Sequence, residues 1–252
     1  MIDSGCTATW RPSTYIRHQL NRSILDYLFI TNADQDHMSD LKGLEEAGVF
    51  VSTLVRNPTY TGQEMAQIKA LSGPLTRDAH WYVTACGEFN QTVTEPFDAY
   101  MGGITAKWFF NPYPQFVKTN DLSLVVFIQF AGFKILFPGD LEGPGWRALL
   151  ADPAFRLELM TTNVLVASHH GRQSGFCEDV FNYCTPDAVV ISDKPIVHDT
   201  QRTPDYRQVV RDEGVIVRTT GKRRHVLTTR RDGSITFRAC ADGYFIDTEC
   251  AG

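Results

Sequence analysis

The chain has no apolar run near the roughly 20 residues that a membrane span needs, and no basic-then-apolar segment ahead of Asp3 that would read as a secretion signal. Its six cysteines (Cys6, Cys86, Cys177, Cys184, Cys240, Cys250) show no Cys-x-x-Cys spacing, which excludes a zinc ribbon and a thioredoxin-type pair. Scattered thiols without a secretion signal are expected to be reduced and cytoplasmic, Cys240 and Cys250 being the pair to consider for a disulfide. Positive charge is also short. With 24 Lys and Arg against 29 Asp and Glu the formal net charge is −5, which argues against coating nucleic acid by global charge. Fixed-period repeats and low-complexity tracts are missing too. What is there is a globular sequence of 252 residues, 43% hydrophobic, enough for one domain or one domain with a large insertion.

Thr31 to Asp40 reads Thr-Asn-Ala-Asp-Gln-Asp-His-Met-Ser-Asp, between the apolar run Leu28-Phe29-Ile30 and a helix-like stretch. A buried carboxylate is costly unless something neutralises it, and for Asp34 and Asp36 beside His37 a divalent cation is the simplest neutraliser. Alternation along an extended segment points Asn32, Asp34 and Asp36 one way while the turn brings His37 round, so one loop can offer ligands to two neighbouring cations. The plainer account is a polar helix start with Asp36 as its cap. Two other apolar runs end similarly, in Phe137-Pro138-Gly139-Asp140 and in Ala167-Ser168-His169-His170-Gly171. Ligands on the ends of adjacent strands are what a metallohydrolase uses, because a packed sheet holds them to the tolerance that metal geometry demands.

Taken in order, Asn32-x-Asp34-x-Asp36-His37, Asn120-Asp121-Leu122-Ser123-Leu124-Val125, Gly139-Asp140, His169-His170-Gly171-Arg172-Gln173-Ser174 and a late His198 form a known series. The chain resembles the metallo-β-lactamase-fold hydrolases, and among them the metal-dependent domain attached to the competence protein ComEC, with a poor match between about residues 58 and 108. The resemblance implies an αββα sandwich of two mixed β-sheets flanked by helices, in a single domain over 1–252 with an insertion or lid at about 58–108. It implies two divalent metal ions, zinc or manganese, with magnesium as the alternative. One cation would take Asp36, His37 and His198. Asp140 would bridge to a second, held by Asp34, Asn32 and one of the paired histidines, His169 being favoured. Asp36, Asp140, His170 and Ser174 are the catalytic candidates, Ser174 as a phosphate contact unless it caps a helix. Neighbouring strand residues face opposite ways, so His169 and His170 are expected to point apart.

Two departures stand out. Asn32 replaces the first histidine of the family motif, and an amide oxygen is a weaker, harder ligand, suited to manganese or magnesium. Met1-Ile2-Asp3-Ser4-Gly5 matches an element that in the family follows an opening hairpin, so the fold is expected to lack that hairpin or to start upstream, with a protein partner or self-association at the incomplete sheet edge. The activity implied is that of a metal-dependent phosphodiesterase or nuclease acting on DNA, RNA or nucleotides, away from membranes. The alternatives are hydrolysis of another ester, thioester or lactam, and a metal-weakened binding subunit.

Hydropathy periodicity predicts strands at 24–31 and 49–55 around a helix at 38–47, stopped by Gly48, and a short helix near 63–71. Trp81, Tyr82, Phe89, Phe97 and Tyr100 could stack on bases from a lid or fill a satellite core, the second being favoured. Beyond them come two strands within 116–137 joined at Ala131-Gly132, a strand at 163–167, a strand at 188–192, a helix at 204–213 and strands near 215–218, 225–229 and 234–238. Lys222-Arg223-Arg224-His225 and Arg230-Arg231 read as a solvated hairpin or as guides for a phosphate backbone.

Overall fold

A computed structural model describes residues 1–91, 101–194 and 198–252. They form a mixed α/β protein with several sheets, divided into two compact units, Met1–Thr94 with Phe110–Leu124 and Glu95–Phe109 with Val125–Gly252.

In the first unit β1 (Ile24–Phe29) and β2 (Phe50–Val55) pair in parallel, Leu28 opposite Leu54. A parallel pair cannot be closed by a hairpin, and the crossover is made by helices Gln35–Met38 and Leu41–Glu46. The helix expected over 38–47 is broken around Asp40. That side chain is wholly buried, and its two oxygens accept from the Arg11 guanidinium and the Ser13 amide, each at 2.9 Å, while its backbone leaves the helical range. On the other side of β1, Ile2 bridges Phe29 in parallel, which sets Asp3 beside the strand's end. Of the stretch read as an insertion, residues 58–91 supply helices Gly62–Ala70 and Arg77–Glu88, each started by a threonine cap, Thr61 and Thr76. Tyr82 is buried with Leu28, Leu41, Leu44 and Met65 in this unit's core, with Trp81 and Phe89 at its margin. Phe97 and Tyr100 lie outside the described residues. The strand expected from Phe116 begins only at Val125; residues 116–124 are turns whose Leu124 amide donates to Thr31 O at 2.7 Å.

The second unit is built on a sheet of β3 (Thr105–Phe109), β4 (Val125–Phe130), β5 (Phe133–Phe137), β6 (Val164–Val166), β7 (Ala188–Ile191) and β10 (Val226–Thr228), in the order β10-β7-β6-β5-β4-β3. Ala131 and Gly132 join β4 to β5 with φ of 48° and 81°, the left-handed pair that a tight hairpin turn requires. Strands β5, β6, β7 and β10 are mutually parallel. Their carboxyl ends therefore share one edge, and the residues that follow them arrive there together: Asp140, His169 and His170, Ser192 and Asp193, then Thr229 to Arg231. That edge is where open parallel sheets hold ligands.

Helices Gly143–Leu150 and Pro153–Met160 cover one face of this sheet, where Phe109, Phe127 and Phe155 meet edge-on at 5.1 to 5.9 Å. The small pair β8 (Val215–Ile216) and β9 (Arg223–Arg224) and the hairpin β11 (Ile235–Cys240) and β12 (Gly243–Thr248) complete the unit. Tyr244 packs on Phe133 at 4.6 Å between ring centres. The helix expected over 204–213 is shorter, Thr203–Gln208. All six cysteines are free thiols, and burial pushes Cys184 up to about 12 and Cys86 to about 11. Among the described residues no helix is long and apolar enough to cross a membrane.

Candidate metal centre

The first unit fixes one imidazole with care. His37 is buried, and its Nδ1 lies 2.9 Å from Asp3 Oδ2 and 3.2 Å from Thr31 Oγ1. The Thr31 hydroxyl itself donates to Asp3 Oδ2 at 2.6 Å and its amide to Oδ1 at 2.7 Å, so the carboxylate is held from two sides. A carboxylate only accepts; Nδ1 therefore carries a proton, and in the neutral ring the lone pair sits on Nε2, the arrangement in which a histidine ligates a metal while an outer carboxylate orients it. Gly5 makes this possible. A Cβ there would come within 2.1 Å of the Asp36 carbonyl oxygen, so the amino-terminal segment that carries Asp3 can lie against the motif only without a side chain.

The rest of the loop divides its roles. Asp36 is exposed in the first turn of Gln35–Met38. Asp34 occupies the cap position of that helix without capping it; its Oδ1 meets Lys69 Nζ at 2.5 Å and its Oδ2 accepts from Thr119 Oγ1 at 3.1 Å. Its neutraliser in this structure is thus the Lys69 ammonium, which spacing along the motif could not reveal. Asn32 is buried and shapes the turn: Oδ1 accepts from the Asp34 amide at 3.0 Å and Nδ2 donates to Asn120 Oδ1 at 2.9 Å.

In the second unit Asp140 is buried after β5, and the paired histidines follow β6. His169 and His170 do not point apart. His169 Nε2 lies 3.9 Å from Asp140 Oδ2, and His170 Nε2 lies 3.8 Å from Oδ1. Strand alternation fails because Ser168–Gly171 is a tight turn in which His169, His170 and Gly171 are all left-handed, with φ of 49°, 56° and 74°. Each ring is tied at its other nitrogen. His170 Nδ1 is 2.8 Å from Ser192 O, and His169 Nδ1 is 2.8 Å from Ser174 Oγ and 3.6 Å from Glu142 Oε1. A carbonyl only accepts, so in neutral His170 the lone pair is on Nε2. A hydroxyl accepts or donates, so His169 keeps either tautomer. The Nδ1 contact of His170 thus holds its ring in one tautomer, and that of His169, the ligand expected from sequence, allows two.

Two atoms bonded to one cation at about 2.0 to 2.2 Å each stand no more than about 4.4 Å apart, and both imidazole–carboxylate distances fall inside that bound. The donor set of imidazole and carboxylate suits zinc or manganese. Ser174 holds His169, and His198 is exposed with its Nε2 accepting from Arg172 Nη2 at 3.2 Å. Asp3, Thr31, Lys69, Glu142 and the Ser192 carbonyl had no assigned role in the sequence reading. Only Asp3, within Ile2-Asp3-Ser4-Gly5, carried a signal that could have found it.

No protein-family model and no curated protein sequence matches the chain. Among solved structures it is similar to a presumed metal-dependent hydrolase from Parabacteroides distasonis, at 10% identity and a TM-score of 0.46, covering 91% of this chain and 84% of the other. A likeness of that degree carries no argument about this chain, whose chemistry rests on its own residues.

Proposed function

We propose that the protein is a metal-dependent phosphodiesterase, with the αββα sandwich as its fold, using two divalent cations, for which the ligand candidates are Asp140, His169 and His170 within the second unit and Asp36 and His37 within the first. The observation that carries the reading is the buried Asp140 carboxylate with an imidazole Nε2 opposite each of its oxygens. A carboxylate so placed can serve one cation per oxygen. Bound cations would supply a nucleophilic water near neutral pH and polarise the phosphoryl oxygens. The chain's own contribution is orientation. Asp3 and Ser192 lock His37 and His170 in the ligating tautomer, while Ser174 positions His169 and is not needed as a direct phosphate contact. Carboxylates among the ligands favour hard cations and phosphate chemistry over an all-imidazole zinc pocket. The substrate class is DNA, RNA or a nucleotide.

One observation favours a second reading, a metal-weakened binding subunit: Lys69 already neutralises Asp34, and Asn32 is engaged in the turn. Metal content by elemental analysis, with hydrolysis of single- and double-stranded DNA, RNA and dinucleotides in manganese, magnesium or zinc, separates the two. The expected result is metal retained by the parent protein, lost in His170→Ala, and phosphodiester cleavage in manganese. Absence of any divalent-metal affinity would sink the enzyme reading and leave the binding subunit.

A further inference from the structure

The basic residues that the sequence reading left between a hairpin and a backbone guide are gathered around a cavity of about 390 Å³ in the second unit. Arg207 arrives from helix Thr203–Gln208, Lys222, Arg223 and Arg224 from the β9 segment, and Arg230 and Arg231 from the turn after β10. Three of these cations are matched locally: Arg224 by Asp232 at 2.8 Å, Arg230 by Asp193 at 3.0 Å and Arg223 by Glu213 at 3.2 Å. Among the described residues no side-chain carboxylate pairs with Arg207, Lys222 or Arg231, all exposed; Lys222 Nζ donates to Ala251 O at 3.3 Å beside Gly252, and the lining holds six cationic side chains and no acidic one in a chain whose formal net charge is −5. Concentrating positive charge against the overall balance, around a concavity, is what an anion site requires.

The cavity is also tied to the metal-side residues. His170 donates to Ser192 O. The next residue, Asp193, accepts from the Arg230 amide at 2.9 Å and receives the Thr229 hydroxyl on its carbonyl at 3.0 Å. One short run after β7 thus supports both an imidazole of the candidate centre and the turn that carries Arg230 and Arg231. Both belong to the edge where the four parallel strands end.

We propose that this cavity binds phosphate groups of the substrate outside the metal centre, the ligand being the backbone of an oligonucleotide. The choice of oligonucleotide rests on the phosphodiesterase reading; the cavity's affinity for phosphate does not. Arginine forks suit phosphate oxygens, and each phosphate neutralised releases counterions, so binding should weaken steeply with salt.

The test is anisotropy of a fluorescein-labelled dodecathymidylate in EDTA across a salt series, for the parent protein, Arg207→Ala/Arg231→Ala and Arg207→Lys/Arg231→Lys. Both positions are exposed and carry no ion pair, so the fold is expected to persist. The alanine pair should lose affinity about tenfold or more, and its log–log salt slope should shrink by about 1.4, the share of two single-strand phosphate contacts. The lysine pair should keep most of the slope. A parallel arm with mant-ATP identifies the phosphate source: loss there without loss for the oligonucleotide overturns the oligonucleotide assignment. Equal affinity and slope for the alanine pair and the parent, in both arms, overturns the site. Hydrolysis of bis(p-nitrophenyl) phosphate by the parent protein in manganese is scored separately. If that fails while the alanine pair loses binding, the phosphodiesterase reading falls and the phosphate site stands.

Discussion

His37 in the first unit and His170 in the second both carry their Nδ1 proton to an oxygen, but the oxygens come from different kinds of place. For His37 it is the carboxylate of Asp3, 34 residues earlier in the chain and set by the Ile2–Phe29 bridge and the Thr31 contacts. For His170 it is the main-chain carbonyl of Ser192, at the end of the neighbouring parallel strand. The first device depends on a side chain and can be deleted by one substitution. The second is written into the sheet register, and no side-chain change removes it. One histidine site is therefore tunable through an outer carboxylate, and the other through the backbone that presents it.

The most severe way to break this comparison is to remove the group that the second unit's imidazoles share. Asp140→Asn should cut kcat by at least ~10³, because the loss of a ligand charge forfeits several kcal/mol of transition-state stabilisation. The check is saturation kinetics in manganese alongside elemental analysis. Near-parental activity with metal retained would place the bridge elsewhere.

Next come two glycines, one against the His37 loop and one against the turn that carries the paired histidines. Gly5→Ala drives a Cβ to 2.1 Å from Asp36 O, and Gly175→Ala drives one to 2.4 Å from Ser168 O. Backbone cannot yield as a flexible side chain can, so each should destabilise by about 1–3 kcal/mol, read as a lower urea midpoint. An unchanged midpoint for Gly5→Ala would mean that the amino-terminal segment does not need its close approach.

Sharper still is Asp3 itself. Asp3→Ala should weaken zinc or manganese affinity ~10–100-fold, whereas Asp3→Asn, which keeps an acceptor for Nδ1, should recover much of it. Chelator competition measures both. Equal affinities in the alanine variant and the parent would show that His37 is held without its carboxylate.

The smallest effect belongs to Ser174→Ala. Glu142 lies 3.6 Å from the same His169 nitrogen and can take over, so affinity should fall less than ~10-fold, below the Asp3→Ala loss. A larger loss than that of Asp3→Ala would reverse the contrast between the units.

Strands Val164–Val166 and Ala188–Ile191 were legible in the sequence because strands buried on both faces read as unbroken apolar runs, and the β4–β5 turn because Ala131-Gly132 separates two largely apolar stretches. Helix Arg77–Glu88 was missed. Its signals are the Thr76 start and the spacing of Ala79, Tyr82 and Cys86, set in a stretch whose aromatics also suit a lid. Strand β12 was missed although Asp242-Gly243 is a hairpin signal between alternating residues. Within the candidate site the aspartates and histidines are plain in the sequence, but what holds them is not. The Ser192 carbonyl has no residue signature, and Lys69 lies 35 positions from Asp34. The orientation of the paired histidines failed for a local reason, since alternation was applied to residues that had already left the strand.

The consecutive left-handed residues His169 and His170 have one more consequence. Outside glycine such a conformation costs about 1–3 kcal/mol per residue, which the neighbouring contacts of the turn must offset. Relaxing it should therefore strengthen the protein while removing one imidazole from beside Asp140. His169→Gly is expected to raise the urea midpoint and to lower activity in the same variant, a trade of endurance against chemistry at a single backbone angle. A midpoint that falls would show the turn to be at ease. If it rises, the turn holds strain that a glycine releases.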